Sequence, residues 1–304
     1  MATKRDFCRL KRTDGLTIMV LDQILIDWAH LSILTLAIGF LLHEVGMLSL
    51  GHAGLLLTGA YCWALWARGD LSLVSALSAA AVFLLLMALT SLRVQDDIFA
   101  VVTLALAEAL RFFVLGAYEL TGGSVGLGPV PRSDWVASSH GAQLLALVTG
   151  TVVVSVAVLL LARWPGVVLG SIRDGELLSQ GIGINTGLTR FMAFALTGVV
   201  AEVVGGLQVA YFGVATPQMG ELDVSLQSVA AAMLAWPMWR QGRPGRSAIG
   251  FLLGAGAITI APPLLRQLIR EGVDVAVLRQ ALFGALLFGL VHPRSPFSRL
   301  LERS

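Results

Sequence analysis

The sequence predicts an all-α fold, a polytopic bundle of transmembrane helices, and three observations carry that prediction. Charge is confined to short gaps between long apolar stretches: residues 143–162 (QLLALVTGTVVVSVAVLLLA) and 71–92 (LSLVSALSAAAVFLLLMALTSL) contain no Asp, Glu, Lys or Arg. Each is about 20 residues long, the length a helix needs to cross roughly 30 Å of hydrocarbon. Composition agrees, with 56% hydrophobic and 13% charged residues and a mean hydropathy of +0.81; a soluble domain carries about 25% charge. Finally, a lipid-embedded backbone has no water to bond and must satisfy its own N–H and C=O groups, so such stretches are helices and not loops.

Taken in order, the apolar segments fall at 24–44, 49–67, 71–92, 97–116, 142–162, 188–213, 223–239, 247–268 and 276–292, eight or nine membrane segments in all. They form one transmembrane domain over 24–292, preceded by a basic segment, 1–23, and followed by a tail, 293–304, expected to be cytoplasmic. No repeat and no interdomain linker is visible. The N-terminus is followed by Asp22 and Asp27 and by no small-residue cleavage site, which argues against a cleaved signal peptide. The positive-inside rule orients the later segments. Arg163, Arg173 and Arg190 put the 163–190 connection in the cytoplasm, as do Arg240, Arg243 and Arg246 for the next inner loop and Arg294, Arg299 and Arg303 for the C-terminus. The 117–141 connection carries only Arg132 and faces out, and the sides alternate consistently from 97 to 304.

The first third conflicts with that pattern. Nine full crossings with an inner C-terminus place the N-terminus outside, whereas Lys4, Arg5, Arg9, Lys11 and Arg12 argue for inside. Segment 49–67 opens with SLGHAG, and irregular backbone of that kind is tolerated at membrane depth where protein or a water-filled cavity surrounds it. A full crossing and a re-entrant or broken element both remain open.

Polar residues inside apolar helices are the candidate functional positions, since each needs a partner or water at membrane depth. In VGMLSLGHAGLLLTGAY (45–61), Ser49, Gly51, His52 and Thr58 read either as the lining of a polar pathway or as a small-residue packing face. In DIFAVVTLALAEALR (97–111) Thr103 and Glu108 stand out. Glu108 and Arg111 lie three apart and can pair on one helix face, so a structural ion pair and a substrate role are both open. Glu202 and Gln208 in AEVVGGLQVAY are also intramembrane, Glu202 being a pathway residue or an interhelical hydrogen-bonding group. Gly250, Gly254 and Gly256 give a close-packing stripe. LTGGSVGLGPVP (120–131) has glycines and prolines that oppose a helix; it lacks the Lys-Ser/Thr of a phosphate-binding loop and reads as an ordered outer loop. SIRDGELLSQGIGINTG (171–187) is too short for a domain and too polar to insert. A short helix at the cytoplasmic surface with a glycine stop and an ordinary connecting loop are the two readings.

Other chemistries find no support. The chain carries no Walker motif, no His/Cys/carboxylate set at metal-ligand spacing, no GxSxG nucleophile motif and no Arg-rich voltage sensor. Cys8 and Cys62 are too few and too far apart for a disulfide framework. No metal, no resident cofactor, no catalytic residue and no nucleic-acid partner is expected.

Taken together, MLSLGHAG (47–54) with TGAY (58–61), TLALAEALR (103–111), LTGG (120–123), and IRDGELLSQGIGIN (172–185) with RFMAFALTGVVAEVVGGL (190–207) resemble the branched-chain amino acid (LivM-type) permease subunits of bacterial ABC importers. Each motif is weak alone; their shared order runs from about 25 to 290. The resemblance implies a bacterial inner-membrane importer subunit for branched-chain amino acids or related small polar solutes such as urea or short amides. It implies as partners two cytoplasmic ATPase subunits that bind the ATP, a second related permease subunit and a periplasmic substrate-binding protein. Arg173, Asp174, Glu176 and Gly183 would dock on an ATPase subunit, and Ser49, Gly51 and His52 would belong to the pathway.

Two departures stand beside it. Such permeases usually start with an additional hydrophobic segment, and they usually have a Gly-Gly-x-Gly turn where this chain reads WPMWRQGRPGRSAIG (236–250). That divergence fits another substrate or a weakly functional paralogue. The alternatives of another class are a stand-alone secondary transporter or channel, in which Glu108 and Glu202 would carry coupling protons, and a membrane scaffold without a pathway.

Overall fold

The structure, a computed structural model, describes residues 24–94, 96–131, 166–239 and 249–260 together with positions 281 and 284. Among the described residues every regular element is a helix, and one isolated antiparallel bridge, Leu127 with Ala215, is the single strand-like contact. We number the helices α1 (Ile24–Val45), α2 (His52–Arg68), α3 (Leu73–Thr90), α4 (Asp96–Gly116), α5 (Tyr118–Thr121), α6 (Gly166–Asp174), α7 (Glu176–Gly181), α8 (Thr186–Phe212), α9 (Leu222–Trp239) and α10 (Ile249–Ile260). Four of these, α1, α3, Ile98–Gly116 of α4, and α8, are long and apolar enough to cross a membrane. The segments expected at 142–162 and 276–292 lie outside the described residues but for positions 281 and 284, as do 1–23 and 293–304.

Between helices in lipid no hydrophobic transfer drives association, so close approach and interhelical hydrogen bonds must hold the bundle. The seam of α2 with α8 shows how. A Cβ on Gly59 would run into the Glu202 backbone, and one on Gly205 into the Leu56 carbonyl. Only hydrogen at both positions lets the backbones touch. On the other side of α2, a Cβ on Gly54 would come within 2.7 Å of Ala107 on α4. Gly254 of the expected close-packing stripe in α10 lies against the Ala231 carbonyl of α9, 2.5 Å from where its Cβ would be.

Those contacts also fix direction. His52 meets Thr197, Gly205 meets Leu56 and Gly206 meets Trp63, so α2 and α8 run parallel. Gly51 with Thr103 and Gly54 with Ala107 make α4 parallel as well, while Met87 at Gly51 and Phe83 at Gly54 make α3 antiparallel. Arg173 and Arg190 mark the cytoplasmic end. Arg173 bonds the His43 carbonyl at the end of α1, so α1 runs inward and α2 runs outward. This decides the open question over 49–67. The helix itself has 17 residues, about 26 Å at 1.5 Å per residue, and a non-helical stretch over 46–51 leads into it. The segment is therefore a crossing with a broken entry, not a re-entrant hairpin. Its inward-running neighbour puts Ile24 at the outer end, against the side argued from the basic N-terminal residues.

Burial divides the helices by role. The apolar window of α1 is 78% buried, whereas those of α3 and α4 are 28% buried each. Helix α1 is thus an inner helix, and α3 and α4 turn Val74, Leu77, Val82, Leu86, Ile98, Val101 and Phe112 outward. At the outer end, the expected non-helical loop after α4 contains a 3₁₀ turn, Gly123–Val125. Thr121 sets it up, donating its hydroxyl to Val114 O at 2.6 Å and accepting from the Gly123 N–H. Leu127 then pairs with Ala215, tying this loop to the end of α8.

Candidate functional site

Two constellations gather the polar residues singled out in the sequence. The first surrounds the start of α2. The helix begins inside the bundle, where its first N–H groups need acceptors. Ser49 Oγ accepts from the Gly51 N–H at 3.3 Å, and Ser225 Oγ of α9 accepts from the Ala53 N–H at 3.1 Å. His52 is wholly buried, with Nδ1 3.0 Å from Ser49 Oγ and Nε2 3.2 Å from Thr197 Oγ1. The Thr197 hydroxyl also lies 2.9 Å from Phe194 O and 3.2 Å from Ala193 O of its own helix. Both ring nitrogens are thus satisfied, Nδ1 by Ser49 and Nε2 by Thr197, one hydroxyl accepting and the other donating according to the tautomer. Phe194 meets the imidazole edge-on at 5.4 Å, and Phe99 meets Phe194 in the same way. Thr103 lies against Gly51, its hydroxyl turned back to Ala100 O.

So Ser49, Gly51, His52 and Thr103 come together, joined by Thr197 and Ser225, which sequence reasoning did not single out. A lone hydroxyl in an apolar run was the available signal, and such residues usually bond their own helix. Thr58 and Glu202 sit further along the α2–α8 seam. Thr58 donates to Gly54 O; Glu202 has its backbone against Gly59, and its Oε1 is buried with no hydrogen-bond partner among the described residues. Glu108 is held apart, 2.8 Å from Arg111 Nε, with the guanidinium over the Phe112 ring. Of its two open readings, this geometry is the ion pair.

The second constellation stands at the cytoplasmic end. Helices α6 and α7 meet at Gly175 and are followed by a left-handed Gly183, φ +89°. Glu176 faces inward: its Oε2 lies 3.0 Å from Arg190 Nη1, and its Oε1 accepts from Thr186 Oγ1 at 3.1 Å. Gln180 donates to Thr186 as well, and Asn185 caps α8 through the Leu188 N–H. Ser91, Gln180, Asn185, Thr186 and Arg190 line a cleft of about 290 Å³ there. Arg173, itself exposed, donates to the His43 carbonyl at 2.7 Å; the side chain of Asp174 lies outside the described residues. What the pair turns outward includes three aliphatic side chains, Leu177 85%, Leu178 75% and Ile182 69% exposed, beside Arg173 and Gln180. The docking contacts named from the sequence were Arg173, Asp174, Glu176 and Gly183; of these Arg173 and Gly183 are exposed, and the three aliphatic side chains stand beside them.

A bundle of apolar helices with a short helix pair at one end is the build of a multi-pass membrane protein. The chain belongs to the family described as branched-chain amino acid transport system / permease component, whose model matches residues 20–291. It is 28% identical over 237 residues to the high-affinity branched-chain amino acid transport system permease protein LivM of Salmonella typhimurium, covering 64% of this chain and 54% of that protein. To LivM of Escherichia coli it is 26% identical over the same shares. The chain thus spans about half the length of these curated relatives. No solved structure gives a significant match.

Proposed function

We propose that this chain is a translocation subunit of an ATP-driven importer in the bacterial inner membrane, carrying branched-chain amino acids or related small polar solutes. ATP would be bound by two cytoplasmic ATPase subunits; a second related permease and a periplasmic binding protein would complete the assembly. The observation that carries this reading is the α6–α7 pair. Glu176 pairs inward with Arg190, while Leu177, Leu178 and Ile182 project from the cytoplasmic end beside the exposed Arg173. Three large aliphatic groups in water are a liability unless protein covers them, and a groove on an ATPase subunit is the cover that family membership supports. The cluster around His52 would then form the fixed hub about which the bundle rocks to open on alternate sides. A stand-alone proton-coupled transporter is less well supported, because Glu108 is committed to Arg111.

The test is purification of the chain from native membranes in mild detergent, with mass spectrometry of what accompanies it. Two ATPase subunits and a second permease are expected. Recovery alone or as a homo-oligomer would sink the reading and turn attention to Glu202.

A further inference from the structure

The last turn of α1, Leu41–Val45, is a π-helix, and Gly46 after it is left-handed with φ +76°. Such wide turns are rare and cluster at functional positions. Here the Gly46 and Met47 N–H groups both close on Leu41 O, and the His43 carbonyl receives the Arg173 guanidinium of α6 at 2.7 Å. The stem of Arg173 lies across the turn, its Cγ 2.9 Å from where a Cβ on Gly46 would stand. The same histidine reaches the other way. Its Nε2 is 3.0 Å from Ala232 O of α9; since a carbonyl only accepts, that nitrogen carries the proton. Its ring stacks on Phe251 of α10 at 5.9 Å, and Phe251 in turn occupies the space that a Cβ on Gly39 of α1 would need.

One turn of one helix is therefore tied to the base of the docking pair and to two further helices. We infer that Arg173 is the residue that transmits movement of the docking pair to the bundle, through the π turn at His43 to α9 and α10, and that it is not itself an ATPase contact. This rests on the docking role proposed for α6–α7. A displacement of α6 pulls on a charge-assisted hydrogen bond to a backbone carbonyl, so α1 must follow or the bond must break. A wide turn is the kind of element that can take two arrangements, which coupling between distant sites requires.

The experiment uses the complete importer, purified with its partners and reconstituted in vesicles, and reads labelled leucine uptake per ATP hydrolysed. Arg173→Met keeps the stem and removes the donor. It should retain the ATPase subunits on purification and hydrolyse ATP, with uptake per ATP falling about tenfold, the scale of one lost charge-assisted hydrogen bond. Arg173→Lys should recover part of that loss. Gly46→Ala, which pushes a methyl onto the Arg173 stem from the other side, should reproduce it. If Arg173→Met and Gly46→Ala both transport with unchanged uptake per ATP, the inference is wrong. If Arg173→Met instead sheds the ATPase subunits, Arg173 is a docking contact and the inference is equally wrong. Failure of the unaltered chain to bring ATPase subunits would overturn the docking role itself, a result distinct from either.

Discussion

Thr103, which lies against Gly51, and Thr197, which lies against His52, are both buried, yet they differ in what removing a hydroxyl would do. Thr103 bonds its own helix at Ala100 O, whose carbonyl already serves the helix ladder. Thr197 is the hydrogen-bond partner of His52 Nε2. Thr197→Val would leave that ring nitrogen buried without a partner, at a cost of about 1–3 kcal/mol, while Thr103→Val should cost well under about 1 kcal/mol. Thermal unfolding of the two variants in detergent checks the difference; equal midpoints would show that His52 finds another partner. The same logic governs Glu176. Arg190 is almost fully buried, and Glu176 is its ion-pair partner. Glu176→Ala should destabilise the cytoplasmic end by about 2–3 kcal/mol, below the 3–5 kcal/mol of a fully buried pair because the carboxylate is about one-quarter exposed. Protease sensitivity of the α7–α8 connection would report it. Neither partnership was legible in the sequence: Thr197 is 145 residues from His52, and Arg190 had a sufficient explanation as a positive-inside charge.

At the scale of helices the sequence was far more legible, because element existence follows from composition alone. The segments expected at 71–92 and 188–213 emerge as Leu73–Thr90 and Thr186–Phe212, set by where polar and turn residues interrupt the apolar runs. Direction in the first third was not legible, since basic residues near the start pointed one way and the count of crossings the other. Contacts between glycines and their neighbours decide it, and glycines also decide which seams tolerate change. Gly205 sits where its Cβ would enter the Leu56 carbonyl, whereas a Cβ on Gly116 would meet open space. Gly205→Ala should therefore force α2 and α8 apart, costing about 1–3 kcal/mol or more as overpacking does. Gly116→Ala should stay within about 0.5 kcal/mol of the unaltered protein. Yield of monodisperse protein and its melting midpoint would separate them, and a tolerant Gly205→Ala would mean that the seam can open without penalty.

For the whole molecule, the issue is which surface passes force between the bundle and its surroundings. The sequence pointed to this segment through its position on the cytoplasmic side and its break at glycine, but not to the aliphatic side chains it exposes. Charges in a loop read as outward-facing because solvation is the ordinary fate of a charge. Here Arg173 and Glu176 bond a helix-end carbonyl and a buried guanidinium fourteen residues away, and Leu177, Leu178 and Ile182 share the surface with the exposed Arg173 and Gln180. Leu177→Ser with Leu178→Ser should leave stability almost unchanged, since both side chains are exposed and surface changes stay within about 0.5 kcal/mol. If those leucines are buried against an ATPase subunit, each contributes about 1.5 kcal/mol or more, and losing both weakens the assembly by roughly a hundredfold. Co-purification of the ATPase subunits with the double variant should then fail while the chain still folds, the reverse of what Arg173→Met is expected to do. Normal co-purification would place the contact elsewhere on the cytoplasmic face, because no arrangement that buries two leucines is indifferent to their replacement by serine.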